Sequence, residues 1–516
     1  MRIFDTYVQK LKYKVLTELA RQTWVGNDAF SVFNDIANQV VKKGEPTMSC
    51  CIYKDRAIVA ERIRIALGGK KEDHNVIQVI DIACDECPVA GHVVTDLCRG
   101  CVAHACVDAC KLGAITVDSH QKAEIDKTKC VECGKCAKSC PYSAIANFKR
   151  PCERACKVDA ISMAPDGVAQ IDSEKCIECG ACVYKCPFGA TLDVSSITDI
   201  IKTIVDSDNN KNYHVHAIVA PAIAGQFQYA KAGQLISAIR ELGFYAVEEV
   251  ALGADIVAYK EAQELQEKGF LTSSCCPAFV KYIKMKFPQL AEHISHNLSP
   301  MAETGKLIKE QDPDAKIVFI GPCTAKKGEV RKPEVHQYVD YVMTFEELQA
   351  MIDSKDIAVD QLPETELDTA TYYGRVFART GGLSEAVTEA VREQKAAAEA
   401  AKVDAPDGAG TSGVVASGEA GTNPGKPASG DGACDGDSAD SKPFVFDPIV
   451  CDGIDSCKTA LLRASKGLLP NNFIEGMVCT DGCIGGAACL SHGNADKRAI
   501  DNYGKKASHK EIREVL

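Results

Sequence analysis

Between Cys84 and Cys186 the chain carries sixteen cysteines, and their spacing restricts its folding more than any other feature. Two stretches, Cys130-x2-Cys133-x2-Cys136-x3-Cys140-Pro141 and Cys176-x2-Cys179-x2-Cys182-x3-Cys186-Pro187, have the form of the bacterial [4Fe-4S] run, in which the fourth cysteine ligates the other cluster of a pair. Three further groups accompany them: Cys84-x2-Cys87, Cys98-x2-Cys101-x4-Cys106-x3-Cys110 and Cys152-x3-Cys156. The crossover rule joins Cys130, Cys133 and Cys136 to Cys110 on one cluster, and Cys98, Cys101 and Cys106 to Cys140 on a second. Cys176, Cys179 and Cys182 with Cys156 make a third. Cys152 and Cys186 are then two ligands short, and Cys84 and Cys87 complete a fourth set by elimination. Zinc arrays seldom repeat this run, so about four accessory [4Fe-4S] clusters are expected. Such a row is a wire along which electrons hop, and nothing in it binds a substrate.

Twenty-seven cysteines would suggest a disulfide scaffold in a small secreted chain. This one has 516 residues, opens Met1-Arg2-Ile3-Phe4-Asp5 without the apolar core of a signal peptide, and holds no apolar run near the ~18 residues of a membrane span. A reducing, cytoplasmic, oxygen-poor setting is the expectation. A net charge of −12 disfavours nucleic acid and anionic membrane as partners, because neither gains counterion release from an acidic protein.

Residues 1–80 read as a small helical N-terminal domain, with apolar residues at helical spacing in Tyr7, Val8, Leu11, Val15, Leu16 and Leu19 and again in Ile58, Val59, Ile63 and Ile65. Cys50 and Cys51 within it read as inert thiols, with a metal role as the alternative. Residues 81–195 read as tandem ferredoxin-like (α+β) iron-sulfur modules, with small hairpin strands in Ala114–Val117 and Val168–Asp172. After a helical connector near Ile197–Val205, residues 210–516 form an α/β domain with mixed sheets and flanking helices. Its buried strands include Val215–Ala220 and Lys316–Gly321, and functional groups are expected at strand ends. Thr344-Phe345-Glu346-Glu347 is a capping box with a purely structural role. From about Val403 to Ser441 the composition turns to Gly, Ala, Ser, Asp and Pro, which cannot bury enough surface to order itself, so a flexible insertion is expected there. Cys434 inside it, and Cys451, Cys457 and Cys489 after it, read as inert thiols.

Three segments of the last domain carry the remaining chemistry. Thr272-Ser273-Ser274-Cys275-Cys276-Pro277 holds two adjacent cysteines, which cannot usefully chelate one metal together, so one is expected to bind metal while its neighbour stays free. Gly321-Pro322-Cys323-Thr324-Ala325-Lys326-Lys327 and Glu475-Gly476-Met477-Val478-Cys479-Thr480-Asp481-Gly482-Cys483 set further cysteines among small residues. Cys276, Cys323, Cys479 and Cys483 are four thiolates, the number a [4Fe-4S] cluster needs. Lys326-Lys327 reads equally as a solvated pair. Glu261 and Glu264 read as ordinary surface charges, with i,i+3 spacing that sets both on one helix face.

In this order the three segments resemble the signature motifs of the [FeFe]-hydrogenases, TSCCPxW, xPCxxKKxE and ExMxCxxGCxxG, and the resemblance spans roughly residues 80–516. It implies reversible H2 oxidation and proton reduction at an H-cluster. In that cofactor a cubane on Cys276, Cys323, Cys479 and Cys483 shares the sulfur of Cys483 with a two-iron unit bearing CO, cyanide and a bridging dithiolate. It further implies that Lys326 anchors a cyanide and that Pro221, Pro322, Phe377 and Met477 line the pocket. Cys275, Glu261, Ser295 and Glu264 would relay protons. The implied partners are a ferredoxin or similar electron carrier and the hydrogenase maturation proteins. Around the two-iron pocket the chain departs from the family pattern: Gly321 stands where methionine is usual, Ala222 where serine is, and Met301 where glutamine is. Two other classes fit part of the pattern, a non-catalytic hydrogenase-like iron-sulfur assembly protein and a hydrogen sensor.

Because loop length costs little closure entropy, replacing residues 405–440 by a short flexible linker is expected to leave iron content and hydrogen evolution intact. Loss of cluster content in that deletion would show that the insertion contributes to the fold.

Overall fold

The computed structural model describes residues 4–27, 31–44, 47–49, 51–70, 73–85, 87, 90–403 and 444–516. Cys50, Cys434 and the expected insertion beyond Val403 lie outside the described residues. Among those described, no helix is long and apolar enough to cross a membrane.

The strand Val215–Val219 is buried along its whole length and pairs with Ala246–Glu249 on one side and Lys316–Gly321 on the other, with Tyr341–Thr344 completing a four-stranded sheet. All of these pairings are parallel, which accounts for near-continuous apolar runs in place of alternation. A second parallel sheet joins Leu271–Thr272, Phe473–Met477 and Pro448–Asp452. Antiparallel ladders occur upstream instead: Gly91–Val94 with Ile145–Phe148, Ile115–Val117 with Ala123–Ile125, Ile161–Met163 with Ala169–Ile171, and Ile77–Val79 with Thr191–Asp193. Parallel and antiparallel pairing are therefore segregated between sheets. The carboxyl ends of the parallel strands deliver Pro221, Ser273–Cys276, Pro322–Cys323 and Val478–Cys479, as strand ends do in open α/β sheets. The ladder between Ile77–Val79 and Thr191–Asp193, continued by Ile80 N–H donating to Ala190 O at 2.7 Å, folds Cys84 back over Cys186.

Helices Tyr7–Trp24 and Ile52–Ala66 form where the apolar spacing predicts helix, the first opened by a Thr6/Gln9 capping box, and a further helix, Phe33–Val40, lies between them. They have no core of their own. Val15, Leu16, Leu19, Val59 and Ile63 pack in one cluster with Ile197, Ile200 and Ile201 of the connector helix Ile197–Asp206 and with Phe345 and Leu348 of helix Phe345–Ser354. Three short helices bury too little surface to stand alone, so their apolar stripe is completed by the α/β unit.

A buried charge network crosses this junction. Asp193 closes the last strand of the iron-sulfur region and takes the Lys12 ammonium on Oδ1 at 2.5 Å and the Lys327 ammonium on Oδ2 at 2.7 Å. Lys12 also pairs with Glu346 at 2.7 Å, and Lys327 with Glu347 at 2.8 Å and with Val194 O at 2.7 Å. Burial alone would raise the Asp193 carboxyl, but the two ammonium groups outweigh it and hold it well below its usual range. The Thr344/Glu347 capping box is present, yet Glu346 and Glu347 do more than start a helix, since each anchors a buried lysine from another segment.

Removing one partner of a buried pair strands the other's charge, so Lys12→Ala is expected to lower unfolding free energy by about 3–5 kcal/mol. Urea unfolding of the cluster-loaded chain checks this, and a loss under ~1 kcal/mol would show that the network does not hold the junction.

Candidate metal centre and proton path

Cys276 is the N-cap of helix Pro277–Lys286, whose first position is the proline that tolerates a missing N–H. Cys323 follows the strand Lys316–Gly321 and precedes the short helix Ala325–Glu329. Between Cys479 and Cys483 the chain reverses at Gly482, φ 78°, where a Cβ would stand 2.7 Å from Thr380 N; only glycine fits. These segments bring four thiols into one low-dielectric site. Burial pushes Cys323 up to about 11, with Cys276 adding to the shift. It pushes Cys483 up to about 12, with Cys323 and Cys276 adding. Cys479 is raised by burial and then by Cys323, Cys276 and Cys179.

The upstream cysteines also meet. Burial raises Cys152 to about 11, and Cys186, Cys84 and Cys87 all add to it. Cys179 is raised to about 12 by burial, then by Cys176, Cys156 and Cys276. Cys106 is raised by burial, with Cys140 and Cys101 adding; Cys136 likewise, with Cys130 and Cys133 adding. Cys98, Cys106, Cys110 and Cys136 share one small core cluster. A feature the spacing argument missed is a Cys-x3-Ala repeat. Ala114, Ala144, Ala160 and Ala190 donate their N–H groups to the sulfurs of Cys110, Cys140, Cys156 and Cys186 at 3.2–3.4 Å. Such N–H···S bonds are one of the means by which a protein sets cluster potential.

The last CxxC loop docks directly on the second motif. Thr324 Oγ1 donates to Glu178 O at 2.7 Å, and Lys281 pairs with Glu178 at 3.2 Å. A Cβ on Gly328 would fall 1.8 Å from Glu178 Oε2, so the Glu178 carboxylate occupies the space that glycine leaves on the helix carrying Lys326 and Lys327. A cavity of about 920 Å³ opens beside this contact, lined in part by Cys156, Cys176, Cys179, Cys182 and Cys479.

Cys275 is buried in one cluster with Phe377 and Met477, and Cys276 and Cys483 pack against it. Burial, then Glu261, raise its thiol well above the ordinary value. Lys326 and Lys327 are buried, not solvated. Lys326 Nζ lies 2.5 Å from Glu329 Oε2 and 3.4 Å from Cys275 O, while Lys327 turns into the Asp193 network. Burial would lower Lys326, but Glu329 outweighs it and keeps the ammonium charged. Glu329 was not singled out in the sequence, although it occupies the acidic position that closes the second motif.

Glu261 and Glu264 lie on one face of helix Val250–Lys268, but Glu261 is fully buried where composition suggests a surface charge. Ser274 N–H donates to its Oε1 at 3.3 Å, whereas its Oε2 is buried without a partner. Ser295 Oγ donates to Glu264 Oε2 at 3.2 Å, and Asn297 Nδ2 does so at 2.9 Å. Glu264 in turn reaches the surface pair Lys268 and His296, each at 2.7 Å. Burial pushes the Glu261 carboxyl up to about 7, and Ser274 and Ser295 temper the shift. Glu264 stays below the usual value, because Lys268 and His296 outweigh its burial. Pro221 and Pro322 are buried at their strand ends, and Pro322 O accepts from Ala488 N–H at 3.3 Å. At Gly321 a Cβ would stand 2.5 Å from the Phe319 ring, so that ring takes the space beside it; Ala222 and Met301 are buried. Cys451, Cys457 and Cys489 are fully buried.

A carboxyl raised to about 7 binds its proton more tightly folded than unfolded, so between pH ~4.5 and 7 its contribution to stability falls as pH rises. Glu261→Gln should therefore be more stable than the parent chain at pH 8, with the gap closing towards pH 4.5. Infrared pH titration should show one protonated carboxyl ionising near 7 that is absent in the variant. A carboxylate already ionised at pH 5 would refute the assignment.

The profile of the family described as iron only hydrogenase large subunit, C-terminal domain matches residues 213–487, and a 4Fe-4S dicluster domain matches residues 97–144 and 150–190. The chain is 28% identical over 424 residues to iron hydrogenase 1 of Clostridium pasteurianum, covering 76% of this chain and 69% of that one. It is 37% identical over 95 residues, 18% of this chain and 20% of the other, to the cytosolic Fe-S cluster assembly factor NAR1 of Kluyveromyces lactis. A solved variant of the [FeFe]-hydrogenase HydA1 from Chlamydomonas reinhardtii superposes with a TM-score of 0.45 at 20% identity, covering 62% of this chain and 94% of that one. With the family profile spanning more than half of its residues, and with iron-sulfur dicluster domains ahead of it, the chain belongs to the iron-only hydrogenase family.

Proposed function

We propose that this chain is an active [FeFe]-hydrogenase that interconverts H2 with protons and electrons. The observation that carries the reading is the buried Cys275, set between the four-thiol centre and a partnered carboxylate path to the surface. The residues fit an H-cluster by their chemistry. Cys276, Cys323, Cys479 and Cys483 are a soft sulfur set suited to an iron-sulfur cubane, with Cys483 as the shared ligand. Lys326 offers a cation for anionic ligands, and Pro221, Pro322, Phe377 and Met477 keep the surroundings dry. When bound, the two-iron unit supplies the open metal position at which hydrogen is made or split.

The chain's own groups move the proton. Cys275 Sγ is the inner donor and acceptor. Glu261, poised near neutrality, exchanges with it and can hold or release a proton at little cost. Ser295 bridges towards Glu264, whose links to His296 and Lys268 open to solvent. Electrons leave by the accessory sets, with Cys179 beside Cys276 and Cys479 as the junction. About four [4Fe-4S] clusters on the sixteen upstream cysteines complete the route. The first module exposes the apolar side chains Leu97, Val102, Leu112, Val131, Tyr142 and Phe148, which a ferredoxin-like carrier would cover on docking there. The similarity to NAR1 supports a second reading, an assembly protein that keeps the thiols without turnover.

Infrared spectroscopy of the matured chain separates the two, because metal-bound CO and cyanide absorb where protein does not. Bands with hydrogen evolution are expected; their absence after maturation favours the assembly reading. In Cys275→Ala, iron content and bands should persist while turnover falls roughly 100-fold or more. Normal turnover in that variant would remove Cys275, Glu261, Ser295 and Glu264 from the path. Loss of the cubane would show that Cys275 is a ligand.

A further inference from the structure

At the end of strand Val215–Val219 remote from Pro221, two histidines two residues apart share one side of the chain: His214 just before the strand and His216 within it. Asp312, which follows helix Pro300–Gln311, meets them, so that one ligand atom each from His214, His216 and Asp312 lies within 4.8 Å of the other two. His214 Nδ1 pairs with Asp312 Oδ2 at 2.7 Å, and His216 Nδ1 with Glu248 Oε1 at 2.8 Å. A carboxylate only accepts, so Nδ1 of His216 carries hydrogen and its Nε2 is a bare lone pair, whereas at His214 the hydrogen between Nδ1 and Asp312 Oδ2 marks the place an ion would take on losing that proton. His216 is 8% exposed, and its Nε2 is buried without a partner, as is Glu248 Oε2. A buried acceptor of this kind bears its full desolvation cost until something binds it.

From this geometry we propose that His214, His216 and Asp312 form a binding site for a divalent transition-metal ion of the zinc class. Two imidazoles and one carboxylate suit zinc and its neighbours, leave a fourth position for water, and do not suit calcium or magnesium, which prefer oxygen ligands. Glu248 supplies the outer carboxylate that fixes the tautomer and ring angle of a ligating histidine. Tyr245 stacks on His214 at 3.8 Å between ring centroids and limits its rotation. The carboxyl end of helix Pro300–Gln311, which runs into Asp312, adds a partial negative charge that favours a cation. Ligands about 2.0–2.1 Å from a tetrahedral ion stand roughly 3.4 Å apart, and the partly exposed side chains of His214 and Asp312 can make that approach. The ion ties the central strand, which leads to Pro221, to the helix that starts after Ser299. With no sulfur ligand, it lies outside the electron route.

The test uses zinc alone on the full chain carrying its iron-sulfur clusters, with metal analysis after desalting and zinc X-ray absorption. One zinc per chain is expected, in a nitrogen and oxygen shell at about 2.0–2.1 Å. Retention should fall roughly 10-fold or more in His214→Ala, Asp312→Asn and His216→Gln, with iron content unchanged. His216→Gln alters a buried position and can fail to fold; the other two change partly exposed side chains and keep the comparison decisive. No zinc on the cluster-loaded parent, a sulfur shell at about 2.3 Å, or equal retention in His214→Ala would overturn the site.

Discussion

Asp193 sits between two buried ammonium groups, and around that contact three parts of the chain are joined: the N-terminal helix through Lys12, the last iron-sulfur strand through Asp193 itself, and the second cysteine motif through Lys327. Taking these charges out of water is costly, and the arrangement persists only because every member has a partner, with Glu346 and Glu347 completing the set. A rotation of the iron-sulfur region would leave charge unpaired in the core. A greasy interface could slide; this one has one register. The neighbouring contact of Thr324 with Glu178 uses the same helix, so the residues that fix the docking flank Cys323 and Lys326.

That rigidity matters because the metal centre is assembled from segments far apart in the chain. Cys276, Cys323 and Cys479 each leave the end of a parallel strand or its following turn, and burial raises the thiols of Cys323 and Cys479. Metal binding replaces those protons, so a site that disfavours free thiolates is relieved when iron takes them up. The same low dielectric acts on Glu261. Its carboxyl rises towards neutrality while Glu264, three residues on and nearer solvent, stays below its usual value. One turn of helix thus carries two carboxylates with different affinities for a proton, one set by burial and the other by the Lys268 and His296 partners that outweigh it.

Much of this was legible beforehand, and the reasons differ by residue. Cluster cysteines declare themselves because ligand spacing is a local property of the backbone. The strands Val215–Val219 and Lys316–Gly321 were visible as apolar runs because a parallel sheet buries both faces. Lys326 and Lys327 were ambiguous, since adjacent lysines have the same local pattern whether solvated or buried. The helices at residues 7–24 and 52–66 are readable from periodicity, but not that Phe345 and Ile200 join them in covering their apolar face.

The sequence by itself determined the cysteine groups, the three motifs and the alternation of strands and helices, since each depends on residues a few positions apart. Only the tertiary structure decided which side chains become buried and what they meet. It sank Glu261, turned Lys326 to Glu329 and Lys327 to Asp193, and set His214 and His216 beside Asp312 nearly a hundred residues away. The reason is physical. Burial and charge pairing are properties of the space between elements, and no local pattern encodes which distant group will fill it.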